Sequence, residues 1–218
     1  AQLAARYGMD TARALLREIY VEPLAFAKQL IEEEDIDCDF QTRGRFRGMW
    51  NAAEYDATAR SLDELREIAP LNVEMIPRER QRQEIGTDFY SGGLLLHDHG
   101  GLHPGKYLAG LVAAARRAGA EVSGNTRVGG VSPSGSGFLV STNRGEVRAG
   151  SVLMATNGYT TRAFPWLKRR IIPVTSFVIA TEELPAETVE AIMPGRRMVV
   201  ETRSRHCYYY RLSPDGKR

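Results

Sequence analysis

The sequence predicts a mixed α/β (α+β) protein, and three observations carry that expectation. A long amphipathic helical pattern opens the chain from Asp10. A compact apolar segment then leads through two glycines into a second helical pattern, which makes a strand–helix–strand unit. Beyond it, short alternating segments are separated by Gly, Ser, Pro and Asn, the composition of hairpin loops in an antiparallel meander.

In DTARALLREIYVEPLAFAKQLIEEEDID, the residues Ala12, Leu15, Leu16, Ile19, Ala27, Leu30 and Ile31 recur at helical spacing, with Asp10 as the N-cap. Pro23 lies inside this pattern and is expected to kink the helix or split it in two. The EEED that follows reads as a solvated helix end. From Cys38 to Ile85 the pieces are shorter: a strand at 44–49, a helix through Leu62, Leu65 and Ile68, and a short helix after Pro77. The apolar segment 94–97 is a strand bounded by glycines.

His103 and Pro104 open the next helix, whose face carries Leu108, Leu111, Val112 and Ala115, and Gly119 closes it. Strands are expected to begin at 120–123 and to occupy 127–132, 138–142, 146–148 and 151–156. After Pro173, VTSFVIATEELP reads as a strand, PAETVEAIM as a short helix, and HCYYYRL as a strand ending in the turn SPDG.

With 218 residues, 43% hydrophobic and 26% charged, the chain can build one sizeable core or two small domains. The net charge of +2, with both signs interspersed, offers no field to attract nucleic acid or an anionic membrane. The expected partner is a small molecule or another protein. Cys38 and Cys207 form no CxxC and cannot make a multi-bridge framework, which points to a reducing compartment. No basic segment followed by an apolar run opens the chain, and nothing approaches the ~20 apolar residues of a membrane span. A cytoplasmic protein is the expectation. The opening alanine and the DGKR ending directly after a turn read as a piece of a longer chain.

Three stretches invite a chemical reading. In HDHGGLH, His97 and His99 would share a face if the strand continued, and His103 or Asp98 could complete a metal site. Gly100 and Gly101 interrupt that geometry, so the stretch reads as a strand-to-helix turn with His103 near the N-cap, and no metal is assigned. GGVSPSGSG at 129–137 lacks a third glycine and opens no helix, so it is a hairpin loop and not a phosphate cradle. In the tyrosine triplet, Tyr208 and Tyr210 would share one strand face and Tyr209 the other, as packing residues or as the wall of a pocket.

Several segments follow one another in a single familiar order: GGLLLHDHGGLHPGKYLAGLVAAARRAGAEV, NTRV, VRAGSVLMATNGYT, IIPVTSFVIATEELP and YYYRLSPDG. Together they resemble the D-amino-acid-oxidase-like family of FAD-dependent oxidoreductases, and the ATNGYT and YYRLSPDG forms are most similar to its gamma-glutamylputrescine oxidoreductase branch. The resemblance implies a partial FAD-binding Rossmann-like domain at 1–36 and 98–163, and an antiparallel-sheet substrate domain at 37–97 and 164–218. It places Val128, Ala155, Thr156, Asn157 and Gly158 against the cofactor, with Asn157 standing where ATG is the commoner form. The family's GxGxxG strand, its acidic ribose-binding residue and its glycine-rich flavin segment are not among these residues, so an internal fragment is implied.

The implied chemistry is oxidation of the C–N bond of an amine or amino acid: hydride passes to flavin N5 and the imine product hydrolyses. Sheet position suggests Arg45, Phe46, Met49, Tyr208 and Tyr210 as substrate contacts, the aromatic rings favouring an amine. Loss of the missing segments would leave the fragment inactive alone and prone to self-association through uncovered apolar surface. A non-catalytic module of the same fold is the competing reading, and a metal-dependent enzyme built on His97, His99 and His103 is the third.

Overall fold

A computed structural model describes residues 2–68, 71–203 and 206–218, with a few side chains inside helices and strands left aside. In chain order the elements are α1 (Gln2–Tyr7), α2 (Met9–Leu16), a π turn (Arg17–Val21), α3 (Glu22–Glu33), β1 (Gln41–Thr42), β2 (Arg45–Gly48), α4 (Ala52–Ile68) and β3 (Val73–Ile76). There follow a 3-10 helix (Arg78–Gln83), β4 (Gly93–Leu96), β5 (Gly100–Gly101), α5 (Pro104–Arg117), β6 (Val128–Ser134), β7 (Gly137–Thr142) and β8 (Gly145–Ala149). The last elements are a 3-10 turn (Asn157–Tyr159), α6 (Pro165–Lys168), α7 (Ala186–Ile192), β9 (Met198–Arg203) and β10 (His206–Tyr210).

The chain forms two compact units: residues 1–118 with 180–218, and residues 119–179. In the first, a five-stranded sheet runs in the order β10-β9-β2-β4-β3. All its pairings are antiparallel except β2 with β9. Alternation along the strands separates two faces. Phe46, Leu95, Ile76 and Val199 point one way and meet Ile85, Tyr90, Val189 and Met193 from the 3-10 helix region and α7. Val73 and Leu94 point the other way, and Met49 and Leu62 complete that second cluster.

The glycines of this sheet are explained by Phe46 and Tyr90. A Cβ on Gly93 would lie 2.4 Å from the Phe46 ring, and one on Gly48 would lie 2.6 Å from the Tyr90 ring. The two aromatic rings therefore rest directly on strand backbone, which only glycine permits at those positions.

Several expectations shift in detail. The first long helix begins at Met9 behind Gly8, whose φ of 84° breaks the chain between α1 and α2, so Asp10 sits in the first turn and pairs with Arg13 at 3.6 Å instead of capping. Pro23 divides the helix as expected, and the device is the π turn at Arg17–Val21. Pro23 has no N–H to give the carbonyl one turn back, and widening the turn relieves its ring of that carbonyl. The side chains of Leu65 and Ile68, expected on the inner face of α4, lie outside the described residues. α5 starts with Pro104, and Gly119 follows it with φ 89°.

In the second unit, β6, β7 and β8 form the expected antiparallel meander. The segments 120–123, 151–156 and 174–185, read as strands, belong to none of the described sheets. Their β-branched and aromatic content favours extension, but a strand also needs a sheet ladder to join, which composition alone does not supply. Conversely β3 and β9, which the sequence reading passed over, are full members of the large sheet. No described helix is long and apolar enough to cross a membrane.

Candidate functional site

The three histidines of HDHGGLH have separate tasks. β4 ends at Leu96, and the bend that follows sends His97 and His99 apart. His97 Nε2 lies 3.6 Å from the Glu74 carboxylate. His103 caps α5, its Nδ1 accepting the Lys106 N–H at 3.3 Å. His99 instead lines a cleft of about 610 Å³ between α3 and the sheet, together with Arg45, Leu24, Lys28, Val73 and Leu96. Burial, and secondarily the charge of Arg45, lower the His99 pKa and favour the neutral imidazole. Among the described residues no group of three or more His, Cys, Asp or Glu could hold a metal ion.

A second constellation lies across the sheet. On β10, Tyr208 stands opposite Glu201 of β9 and Tyr210 opposite Val199. Both tyrosines therefore share the face of Phe46, while Tyr209 takes the other. The Tyr210 and Tyr90 hydroxyls lie 3.1 Å apart, within hydrogen-bond distance. Tyr90 is 3% exposed, and its ring meets Phe46, Phe89 and Trp50 edge-on. Burial first, then the Tyr210 hydroxyl and the Glu201 carboxylate, push the Tyr90 phenol far above its ordinary pKa. Burial likewise raises Tyr210, against the opposing effect of its bond to Tyr90. Both phenols thus stay protonated, and the buried Glu201 sits behind them.

The expected substrate contacts are therefore not brought together. Arg45 belongs to the cleft with His99, and Tyr208 and Tyr210 to the opposite face. Phe46 and Met49 are fully buried, in two different clusters. Tyr90 and Glu201 escaped the sequence reading. The only local trace of Glu201 was the β-branched run MVVET of β9, and Tyr90 meets Tyr210 from 120 residues away.

In the second unit, Thr156 leads into the 3-10 turn of Asn157–Tyr159. Asn157 has φ 45°, the left-handed conformation that glycine adopts freely and asparagine tolerates. This accounts for asparagine where ATG is commoner. The turn is held by Asn157 Oδ1 accepting the Gly158 N–H at 2.7 Å and by the Thr156 and Thr160 hydroxyls, also 2.7 Å apart. A Cβ on Gly158 would meet nothing within 4 Å, and Ala155 is exposed. The turn is therefore open along its backbone at Gly158. Val128 opens β6, where the register shifts before Gly130.

A mostly antiparallel five-stranded sheet and a separate three-stranded meander make a mixed α/β protein. The chain belongs to the FAD dependent oxidoreductase (DAO) family, whose pattern matches residues 2–217. It is 31% identical over 219 residues to gamma-glutamylputrescine oxidoreductase of Escherichia coli K12, a match covering 97% of this chain and 49% of that protein. Its fold is similar to glycine oxidase from Geobacillus kaustophilus, with TM-score 0.56 and 22% identity over 72% of this chain and 41% of the other. It is also similar to L-proline dehydrogenase from P. horikoshii, with TM-score 0.62 and 16% identity over 94% of this chain and 51% of the other. The chain spans about half the length of the curated relatives it covers most fully.

Proposed function

We propose that this chain is the central part of an FAD-dependent oxidoreductase that oxidises the C–N bond of an amine or amino acid. The observation that carries the reading is the family match across 2–217. In this reading 1–36 and 98–163 belong to the cofactor domain and 37–97 and 164–218 to the substrate domain. Val128 and the turn Ala155, Thr156, Asn157 and Gly158 hold the adenosine side of FAD, and the open backbone at Gly158 supports that role. FAD, when bound, supplies the two-electron acceptor for the substrate carbon.

The protein's own part is to bind and orient. Tyr208 and Tyr210 offer ring faces and hydroxyls to the substrate amine. Tyr90 and Glu201 fix Tyr210 from behind. Phe46 and Met49 contribute through packing alone, as the buried backing of the sheet. A cytoplasmic location fits this reading, since two cysteines outside any CxxC make no multi-bridge framework.

The relative from Escherichia coli makes a γ-glutamylated diamine the first substrate to test. The test uses the longer protein with FAD. Anaerobic mixing with γ-glutamylputrescine, putrescine, glycine or proline should bleach the flavin for at least one amine. A protein that binds FAD but is bleached by none of a broad amine panel would sink the reading in favour of a non-catalytic module.

A further inference from the structure

We propose that the pocket between β1, β5 and the ends of β9 and β10 binds a small oxyanion, a carboxylate or a phosphate group. Its volume is about 40 Å³, and it is lined by Arg43, Arg196 and Arg211 with Gln41, Ser213 and the Gly100–Gly101 backbone. No carboxylate side chain lines it. A fourth guanidinium, of Arg197, flanks it and donates to the Arg43 carbonyl at 2.6 Å.

Two carboxylates stand against these four cations: Glu190 meets Arg196 at 3.1 Å, and Glu84 meets Arg197 at 2.5 Å. Asp215 lies just beyond Ser213, held by the Ser213 hydroxyl and the Lys217 N–H. Arginines delivered by separate chain segments to one small concavity repel one another, and a bound anion relieves that repulsion. Their forked donors match the oxygens of a carboxylate or phosphate.

The pocket is built rather than incidental. Arg211 Nη2 donates to the Leu102 carbonyl at 2.7 Å, which fixes its direction. A Cβ on Gly101 would lie 2.7 Å from Arg211 Nη1, so glycine lets the guanidinium lie against β5. The site is separate from the large cleft. The Cβ direction of Gly100 points to Phe40 and Leu24, which line the cleft, whereas that of Gly101 points to Arg211.

The experiment is a calorimetric titration of the purified protein with inorganic phosphate, and separately with acetate, at constant ionic strength set by chloride. Saturable binding of either anion is expected, and the tighter one tells whether the natural group is a phosphate or a carboxylate. Arg43→Gln and Arg196→Gln should each weaken it by about tenfold or more. Arg60→Gln, on the exposed side of α4, should leave it unchanged. Arg211 is spared because it also holds the Leu102 carbonyl. Absence of saturable binding by both anions, or equal weakening by Arg60→Gln, would overturn the assignment.

Discussion

The phenol oxygens of Tyr90 and Tyr210 lie 3.1 Å apart, joining β10 to a loop 120 residues earlier. The bond matters because Tyr90 is buried beside Glu201, where an unpaired hydroxyl is costly. Removing both hydroxyls should therefore cost less than the two single losses added together. Tyr210→Phe is expected to destabilise the protein by about 1–3 kcal/mol. Tyr90→Phe should cost less, and the double variant should fall short of the sum. A double-mutant cycle in urea measures this, and strictly additive effects would show that the hydroxyls do not interact.

The same pair bears on the proposed chemistry. In the longer, FAD-loaded protein, Tyr210→Phe should raise KM for the amine more than it lowers kcat, because the role proposed for it is to hold and orient. Glu201→Gln should act in the same direction while lowering the Tyr90 pKa, whose elevation it partly causes. Steady-state kinetics with the amine read the first effect, and an unchanged KM in Glu201→Gln would show that Glu201 does not position Tyr210.

Packing of Phe46 onto strand glycines gives a third expectation. Gly93→Ala places a methyl 2.4 Å from the ring and should destabilise the sheet by about 1–3 kcal/mol. Phe46→Ala should cost about 3–5 kcal/mol through the cavity it leaves. Combining Gly93→Ala with Phe46→Leu should recover part of the loss, since the smaller side chain vacates the clash. Denaturant midpoints decide it: no recovery would mean that the glycine serves the backbone and not the ring.

What the sequence displays and what it conceals follow one physical line. α5 was legible to the residue because its signals are local: Pro104 at the first turn, His103 before it, Gly119 after it. The meander was legible because its turns are. The large sheet was only half legible, because pairing of β2 with β9 joins residues more than 150 apart and leaves no local periodicity. For the same reason 151–156 and 174–185 read as strands and join no described sheet: apolar extended composition is a property of the segment, but membership of a ladder is not. Of the site, Tyr208 and Tyr210 were visible as a strand pattern, whereas Tyr90 and Glu201 acquire their meaning only when the sheet forms.

Exposure of the segment after Pro173 leads to a fourth expectation. Val174, Phe177, Val178 and Ile179 are 79–92% exposed, a contiguous apolar run that few isolated domains tolerate. The purified chain should therefore associate as its concentration rises, and Phe177→Ser with Ile179→Ser should reduce the association. It should also purify without stoichiometric flavin, as these residues contain no GxGxxG segment. Light scattering and the visible spectrum are the measurements, and a monodisperse yellow monomer would contradict both statements.

His99 supplies a pH dependence whose sign is fixed by its surroundings. Burial and the Arg45 charge lower its folded pKa below the ordinary value of 6.5. The unfolded chain then binds the proton more readily than the folded one, so stability contributed by neutral His99 is fully present above pH 6.5 and is lost as pH falls from there toward the lowered folded value. His99→Asn removes the titrating group while keeping a polar side chain in the cleft. The difference in urea midpoint between the two proteins should be flat above neutrality and should shift in favour of the variant as the pH falls below 6.5. Comparing the pair cancels the titration of groups they share. A difference that stays constant across the range would mean that His99 is as free to protonate in the folded protein as in the unfolded chain, and that the cleft is wetter than its lining of Leu24, Val73 and Leu96 implies.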